Sequence, residues 1–181
     1  MEINKTDIEG LLIFTPRKFE DDRGYFFESF NQAIFDEATN NEYSFVQDNQ
    51  SFSKKGVLRG LHFQNPPFAQ GKLVRVIKGA VLDVAVDIRK GSETYGEYVS
   101  IELSEENNKQ FWIPPGFAHG FITLEDDTIF SYKCTNYYAP KSEGTILWSD
   151  NDLTIDWRIN PTFVSDKDEV GTEFRNFVSE F

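Results

Sequence analysis

The chain contains two histidines, and each sits among residues that could give it chemistry to do. His62 lies in Val57-Leu58-Arg59-Gly60-Leu61-His62-Phe63-Gln64, and His119 follows the turn Pro114-Pro115-Gly116-Phe117-Ala118. Taken alone, a histidine in such a run is more often a hydrogen-bonded structural group than a catalyst. The neighbours change that weighing. A neutral imidazole is a general base near pH 7. Lys72 is a cation able to stabilise a developing oxyanion, and a tyrosine on an adjoining strand can return a proton. Together they are the equipment for removing a proton next to a carbonyl, where the carbanion's charge settles on oxygen.

Such groups need a frame, and the chain reads as short strands. Runs at Leu11 to Phe14, Gly24 to Phe30, Val57 to Phe63, Lys72 to Ile77, Tyr98 to Leu103, Gln110 to Ile113, Gly120 to Leu124 and Ile129 to Thr135 are separated by turn residues. Ala80 to Ile88 alternates most clearly. Leu82, Val84, Val86 and Ile88 share one face, and Val81, Asp83, Ala85 and Asp87 share the other. Many short strands of this kind predict a sandwich or barrel of the jelly-roll type. Helix is sparse. Ala33 to Thr39 is one candidate. The tail is another, with Ser165 as its cap and Val170, Phe174, Phe177, Val178 and Phe181 at helical spacing.

With 181 residues, the chain is expected to be one domain over 1–181, with a short C-terminal helical tail. Its 30 acidic residues outweigh 18 basic ones, for a net charge of −12. That balance argues against nucleic acid and against an anionic membrane as partners. A pocket can still gather a few cations around an anionic small molecule, and such binding should be salt-sensitive. The single Cys134 excludes an intrachain disulfide and fits a reducing compartment. The opening MEINKTDIEG has no apolar core of a signal peptide, and no apolar run nears the ~18–20 residues of a membrane span. A cytoplasmic protein is expected.

Pro114-x-Gly116-x-x-His119 resembles the second motif of the cupin jelly rolls. The first cupin motif carries His-x-His, then Glu, then Gly. Here Gly79 has the place of that Gly, Lys72 stands for the Glu, and Gln64 for the second His. A metal-binding cupin needs imidazoles and a carboxylate as donors. Two histidines beside a lysine would repel a divalent ion, so the site is read as metal-free.

Beyond these motifs, the chain resembles the dTDP-4-dehydrorhamnose 3,5-epimerases over nearly its whole length, from Phe14-Thr15-Pro16 to Asp168. The resemblance rests on several blocks in order. They are Asp22 to Glu28, Gln47-Asp48-Asn49, Gly56 to Gln64, Gln70-Gly71-Lys72, Pro114 to Phe121 and Tyr132 to Pro140. It implies a mainly β fold, a cupin-like double-stranded β-helix (jelly roll) with a few short helices. It implies epimerisation at C3 and C5 of dTDP-4-dehydro-6-deoxy-D-glucose without a cofactor, in dTDP-L-rhamnose biosynthesis. By the same resemblance His62 is the base, Tyr132 the acid, Lys72 the neighbour of the carbonyl oxygen, and Asp168 the carboxylate that orients His62. Arg23, Glu28, Gln47, Asp48, Asn49, Arg59, His119, Glu143 and Lys167 would contact nucleotide and sugar, and Tyr138 would stack on thymine. It also implies a homodimer in which an N-terminal strand joins the neighbour's sheet.

Each role has a plainer rival. Lys72 could be an ordinary strand-start lysine, and Arg23 a loop ion pair with Asp21 or Asp22. Arg59, inside an apolar run, needs a partner, and a diphosphate would supply one. Strict alternation puts Arg59 and His62 on opposite faces, so a shared site requires a bulge or twist at Gly60. Tyr132 alternates with Phe130 and Cys134 and could be core. Ser165-x-x-Asp168 fits a capping box, and Asp83, inward on an apolar strand, is a second candidate partner for His62. Cys134 reads as a passive strand residue and is given no role. The alternatives to the double epimerase are an epimerase of one carbon, a metal-dependent cupin oxygenase, and a jelly roll that only binds the nucleotide. The absence of Gly-x-Gly-x-x-Gly agrees with redox-neutral chemistry.

Overall fold

The alternating runs form two antiparallel sheets packed face to face, in a computed structural model that describes residues 1–181. In chain order the elements are β1 (Glu2–Lys5), β2 (Leu12–Thr15), β3 (Phe19–Asp21), β4 (Gly24–Phe26), α1 (Gln32–Ala38), β5 (Gln47–Ser53), β6 (Val57–Gln64) and β7 (Lys72–Lys78). They continue as β8 (Ala80–Asp87), β9 (Tyr98–Ser104), β10 (Gln110–Ile113), β11 (Phe117–Thr123), β12 (Thr128–Cys134), β13 (Glu143–Thr145), β14 (Phe163–Val164) and α2 (Asp166–Glu169). One sheet has the order β1-β2-β10-β7-β12-β5 and the other β13-β6-β11-β8-β9, with β14 added parallel to β6. From β5 to β13 the chain changes sheet at every step except β8 to β9, which is the mainly β, cupin-like jelly roll expected.

Burial follows the alternation. Val81 and Ala85 of β8 meet Val74, Val76, Phe111 and Phe130 of the facing sheet in the inter-sheet core. Leu82, Val84 and Val86 point the other way, into a second core under the C-terminal segment. Both faces of β8 are therefore covered, and all eight of its residues are buried. The outside of the first sheet is closed by α1. Asn31 caps that helix by accepting from Ala33 and Ile34 N–H, and Phe35 packs edge-on against Trp112 at 4.9 Å.

β1, β3, β13 and β14 are not among the runs read from the sequence, and three further elements differ from that reading. The run from Gly24 ends at Phe26 and pairs with β3 as a separate hairpin. β5 lacks an apolar alternation, yet forms seven residues of edge strand beside β12. The tail is not one helix. Ser165 does cap α2, but α2 stops after four residues, and a three-residue 3-10 turn at Phe174–Asn176 is the only later helical piece. Phe174, Phe177 and Phe181 pack on the outer core while the chain runs extended, held by Lys90 N–H on the Phe181 carbonyl. Val170 and Val178, which shared their period, are 80% and 79% exposed.

Candidate active site

Gly60 decides which side chains enter the space between the sheets. Along β6 and β11, His62 lies opposite His119 and Arg59 opposite Phe121, so three steps on one strand face two on the other. This is a bulge at the position where alternation required one. Gly60 has φ +125°, and a Cβ there would sit 2.5 Å from Gly120 Cα and 2.7 Å from the His119 carbonyl oxygen. Only glycine permits that approach of two backbones. The extra residue turns Arg59 and His62 to the same side, and both line a pocket of about 220 Å³ with Ser51, Lys72, His119 and Tyr132.

A second lobe of about 360 Å³ adjoins it, sharing His62, Lys72 and Tyr132 and adding Gln47, Asn49, Gln64, Gln70, Tyr138 and Glu143. The three groups suited to proton transfer thus stand at the junction of the lobes. β5 supplies Gln47, Asn49 and Ser51 from one face, and Tyr132 lies directly across from Asn49.

His62 Nε2 is 2.6 Å from Asp168 Oδ1. Asp168 is almost fully buried, and burial pushes its pKa up. The hydrogen bond and charge of His62, with the Ser165 and Gly60 contacts, outweigh burial and hold it below the ordinary carboxylate value. An ionised carboxylate only accepts, so Nε2 carries a proton, and in the neutral imidazole the lone pair is then on Nδ1. The capping box is half used. Ser165 Oγ accepts from Asp168 N–H at 3.3 Å, while the Asp168 carboxylate turns to His62 and to Gly60 N–H. Capping and histidine support coexist, and the candidate Asp83 belongs elsewhere. Its two oxygens lie 3.0 Å from His119 Nε2. Burial raises Asp83 and lowers His119, in each case against their mutual attraction.

Lys72 makes no ion pair and no side-chain hydrogen bond within the chain, although it lines both lobes. Burial lowers its pKa, and Cys134, Asp83 and Glu143 pull the other way. An oxyanion beside it would gain an unshared partner. Burial, followed by Cys134, raises the Tyr132 phenol, against the Asn49 hydrogen bond and the Arg59 charge. It is a proton donor at neutral pH rather than a phenolate. Burial also lifts the Cys134 thiol to about 11, so no thiolate chemistry arises there.

At the mouth, Glu143 ties two elements together. It pairs with Lys167 at 2.5 Å and accepts from the Tyr138 hydroxyl at 2.9 Å. Burial pushes Glu143 up, but Lys167 and Tyr138 bring it below its ordinary value. The donor set does not suit the cupin metal. His62 is committed to Asp168 and His119 to Asp83, and Lys72 stands where a carboxylate ligand would have to be.

Three expected contact residues are not brought to these lobes. Asp48 points away from Asn49 and pairs with Lys133 at 3.1 Å on the outer face, because alternation on β5 separates it from Gln47 and Asn49. Arg23 sits on the β3–β4 hairpin and is held by Asp21 at 2.5 Å. Glu28 is engaged with Asn31 at 3.1 Å. The sequence reading also passed over Ser51, whose buried Oγ has no partner. Its position two residues beyond Asn49 was the available signal.

The family model for dTDP-4-dehydrorhamnose 3,5-epimerase matches residues 5–176. A dTDP-4-dehydrorhamnose 3,5-epimerase of Shigella flexneri is 54% identical over 174 residues, 96% of each chain. Among solved structures, dTDP-6-deoxy-D-glucose-3,5-epimerase of Legionella pneumophila, in complex with dTDP-4-keto-L-rhamnose, superposes with a TM-score of 0.92 at 48% identity. The match covers 96% of this chain and 93% of that one. A 3'-monoepimerase of Streptomyces bikiniensis, in complex with dTDP-quinovose, superposes with a TM-score of 0.90 at 34% identity, over 94% and 87% of the two chains.

Proposed function

The chain belongs to the dTDP-4-dehydrorhamnose 3,5-epimerase family, and is thus an isomerase of sugar nucleotides; we propose that it inverts C3 and C5 of dTDP-4-dehydro-6-deoxy-D-glucose to give dTDP-4-dehydro-L-rhamnose. The observation that carries the mechanism is the His62–Asp168 pair at 2.6 Å, facing a cleft shared with Lys72 and Tyr132. The C4 ketone acidifies the protons on both neighbouring carbons. His62 Nδ1 takes one, and the resulting imidazolium is stabilised by Asp168. The enolate oxygen gathers charge beside Lys72, and Tyr132 delivers a proton to the opposite face of the carbon. Once His62 has released its proton to water and Tyr132 has regained one, a second round inverts the other carbon. Electrons are conserved at each step, so the residues alone suffice and no cofactor enters.

Gln47, Asn49, Arg59, His119, Glu143 and Lys167 would hold the nucleotide and sugar, with Tyr138 stacked on thymine. We also read the protein as a cytoplasmic homodimer. The β3–β4 hairpin supports that reading, because Phe19, Tyr25 and Phe26 are 53%, 57% and 70% exposed on it. Phe19 and Phe26 lie opposite each other across the hairpin, and an exposed apolar patch of this kind marks an interaction surface. A second copy would take up the hairpin and bring Arg23 and Glu28 to the partner's cleft. No helix is long and apolar enough to cross a membrane.

The test is proton exchange. The protein is incubated with dTDP-4-dehydro-6-deoxy-D-glucose in heavy water, without a reductase, and C3 and C5 are followed by NMR and mass. Deuterium at both carbons, with the L-rhamnose-type product trapped by a reductase, is the expected result. Deuterium at one carbon alone would make it a single-carbon epimerase. No exchange, with thymidine diphosphate still bound, would leave a binding jelly roll.

A further inference from the structure

The rim loop at residues 136–139 is held by three glutamine side chains. Gln47 Oε1 accepts from Tyr138 N–H at 3.2 Å. Gln64 Nε2 donates to the Tyr137 carbonyl at 3.2 Å and to the Phe68 carbonyl at 2.7 Å. Gln64 Oε1 accepts from Ala139 N–H at 2.9 Å. Gln70 Nε2 donates to the Asn136 carbonyl at 2.7 Å. Every residue of the loop is thereby bonded to an amide from another element.

The origins of these amides give the arrangement its meaning. Gln64 is 5% exposed and lies on β6 two residues beyond His62, on the same face by alternation. Gln70 lies two residues before Lys72, and Gln47 lies on β5, which pairs with the strand of Tyr132. The loop is thus fastened to the strand of His62, to the segment leading into the strand of Lys72, and to the edge strand beside that of Tyr132. Tyr137 and Tyr138 are 65% and 54% exposed, so little burial holds this part of the loop in place. The amides therefore add order more than folding energy.

We propose that Gln64, with Gln70 in support, is a positioning residue for the nucleotide: it fixes Tyr138 relative to the strand of His62, and so holds the stacking ring ready for the base of a nucleoside diphosphate-sugar. The inference rests on the reading of Tyr138 as the nucleobase stack. It also gives Gln64 a use for standing where a metal-binding cupin has a histidine. Both of its amide hydrogens are spent on loop carbonyls.

The test uses Gln64→Leu, Gln70→Leu, Tyr138→Ala and the double variant Gln64→Leu/Tyr138→Ala. Thymidine diphosphate affinity is measured by calorimetry, turnover by a reductase-coupled assay, and amide exchange by mass spectrometry. Gln64→Leu should weaken thymidine diphosphate about tenfold and raise KM similarly, with kcat falling less than threefold. The Tyr138 and Ala139 amides should exchange faster while those of Thr128–Cys134 do not. In the Tyr138→Ala background, Gln64→Leu should cost less than twofold. A tenfold loss that persists without the tyrosine would overturn the proposal, since Gln64 would then act on the ligand or the fold directly. Unchanged affinity in Gln64→Leu, with Tyr138→Ala impaired, would overturn it while sparing the stacking role. Full affinity in Tyr138→Ala would remove the stacking role and the proposal with it. If Gln64→Leu does not fold, Gln70→Leu decides by the same readouts.

Discussion

Replacing Asp168 by Asn removes one charge at nearly constant shape, and the geometry around it dictates the consequence. Asp168 gives Oδ1 to His62 at 2.6 Å and Oδ2 to Gly60 N–H at 3.4 Å. Asparagine has one acceptor for these two donors. If its oxygen serves His62, its NH2 group confronts Gly60 N–H. If it serves Gly60, the NH2 group faces His62, Nε2 must accept, and the ring proton moves to Nδ1, where the base is needed. Either way the imidazolium formed in the reaction loses a charge-assisted bond of about 2–3 kcal/mol, which is roughly a 30- to 150-fold loss of kcat. KM should change less than threefold, because the contacts assigned to the nucleotide are untouched. The assay is steady-state turnover coupled to a reductase, with calorimetry on thymidine diphosphate as the control. Turnover within threefold of the parent, in a folded Asp168→Asn variant, would refute the assignment of His62 as a base oriented by Asp168.

Two further outcomes concern the scaffold. Asp87 is wholly buried and accepts from Arg89, Ser92 and Thr94. Burial pushes its pKa up, but these bonds outweigh burial and hold it at about 2, against an ordinary 3.8. The depressed carboxyl contributes about 2 kcal/mol of stability above its unfolded value, lost as pH falls through about 2. Asp87→Asn should therefore be less stable by that amount at pH 7 in urea unfolding, with the gap closing towards pH 2; a gap independent of pH would contradict the linkage. At Gly60, a methyl group meets backbone at 2.5 Å and 2.7 Å. Gly60→Ala should cost about 3 kcal/mol or more, lowering Tm by roughly 6–12 °C. Gly91→Ala, also at positive φ but with nothing within 4 Å, should cost about 1 kcal/mol. Equal losses at the two glycines would show that the β6–β11 approach is not tight.

β8 was legible because it is buried on both sides, so its two apolar sets, Leu82/Val84/Val86 and Val81/Ala85, each report a core. β5 was not, because it is an edge strand whose inward face is the cleft wall. Gln47, Asn49 and Ser51 are polar and line the cleft, and that removes the pattern by which a strand is read. The tail misled for the converse reason. Phe174, Phe177 and Phe181 recur at helical spacing, but they reach the outer core from extended chain and a single 3-10 turn. Spacing reports which side chains are buried, and more than one backbone can bury the same set.

The candidate site divides along a similar line. Residue types named the chemistry, since a histidine, a lysine and a tyrosine in separate strand blocks suit an enolate. Pairing was beyond the sequence, because Asp83 and Asp168 were both available and only three-dimensional register decides which meets His62. That register is set by the bulge at Gly60. Without the extra residue, either Arg59 or His62 would point into the outer core, and the two could not line one cleft. The local rule of alternation fails at the residue where the active constellation is assembled, as expected when function is built on a departure from regular geometry. A glycine in an otherwise apolar strand, flanked by an arginine and a histidine of opposite parity, is therefore itself a signal. It marks where two faces must become one, and it can be sought in the sequence of any strand-rich chain.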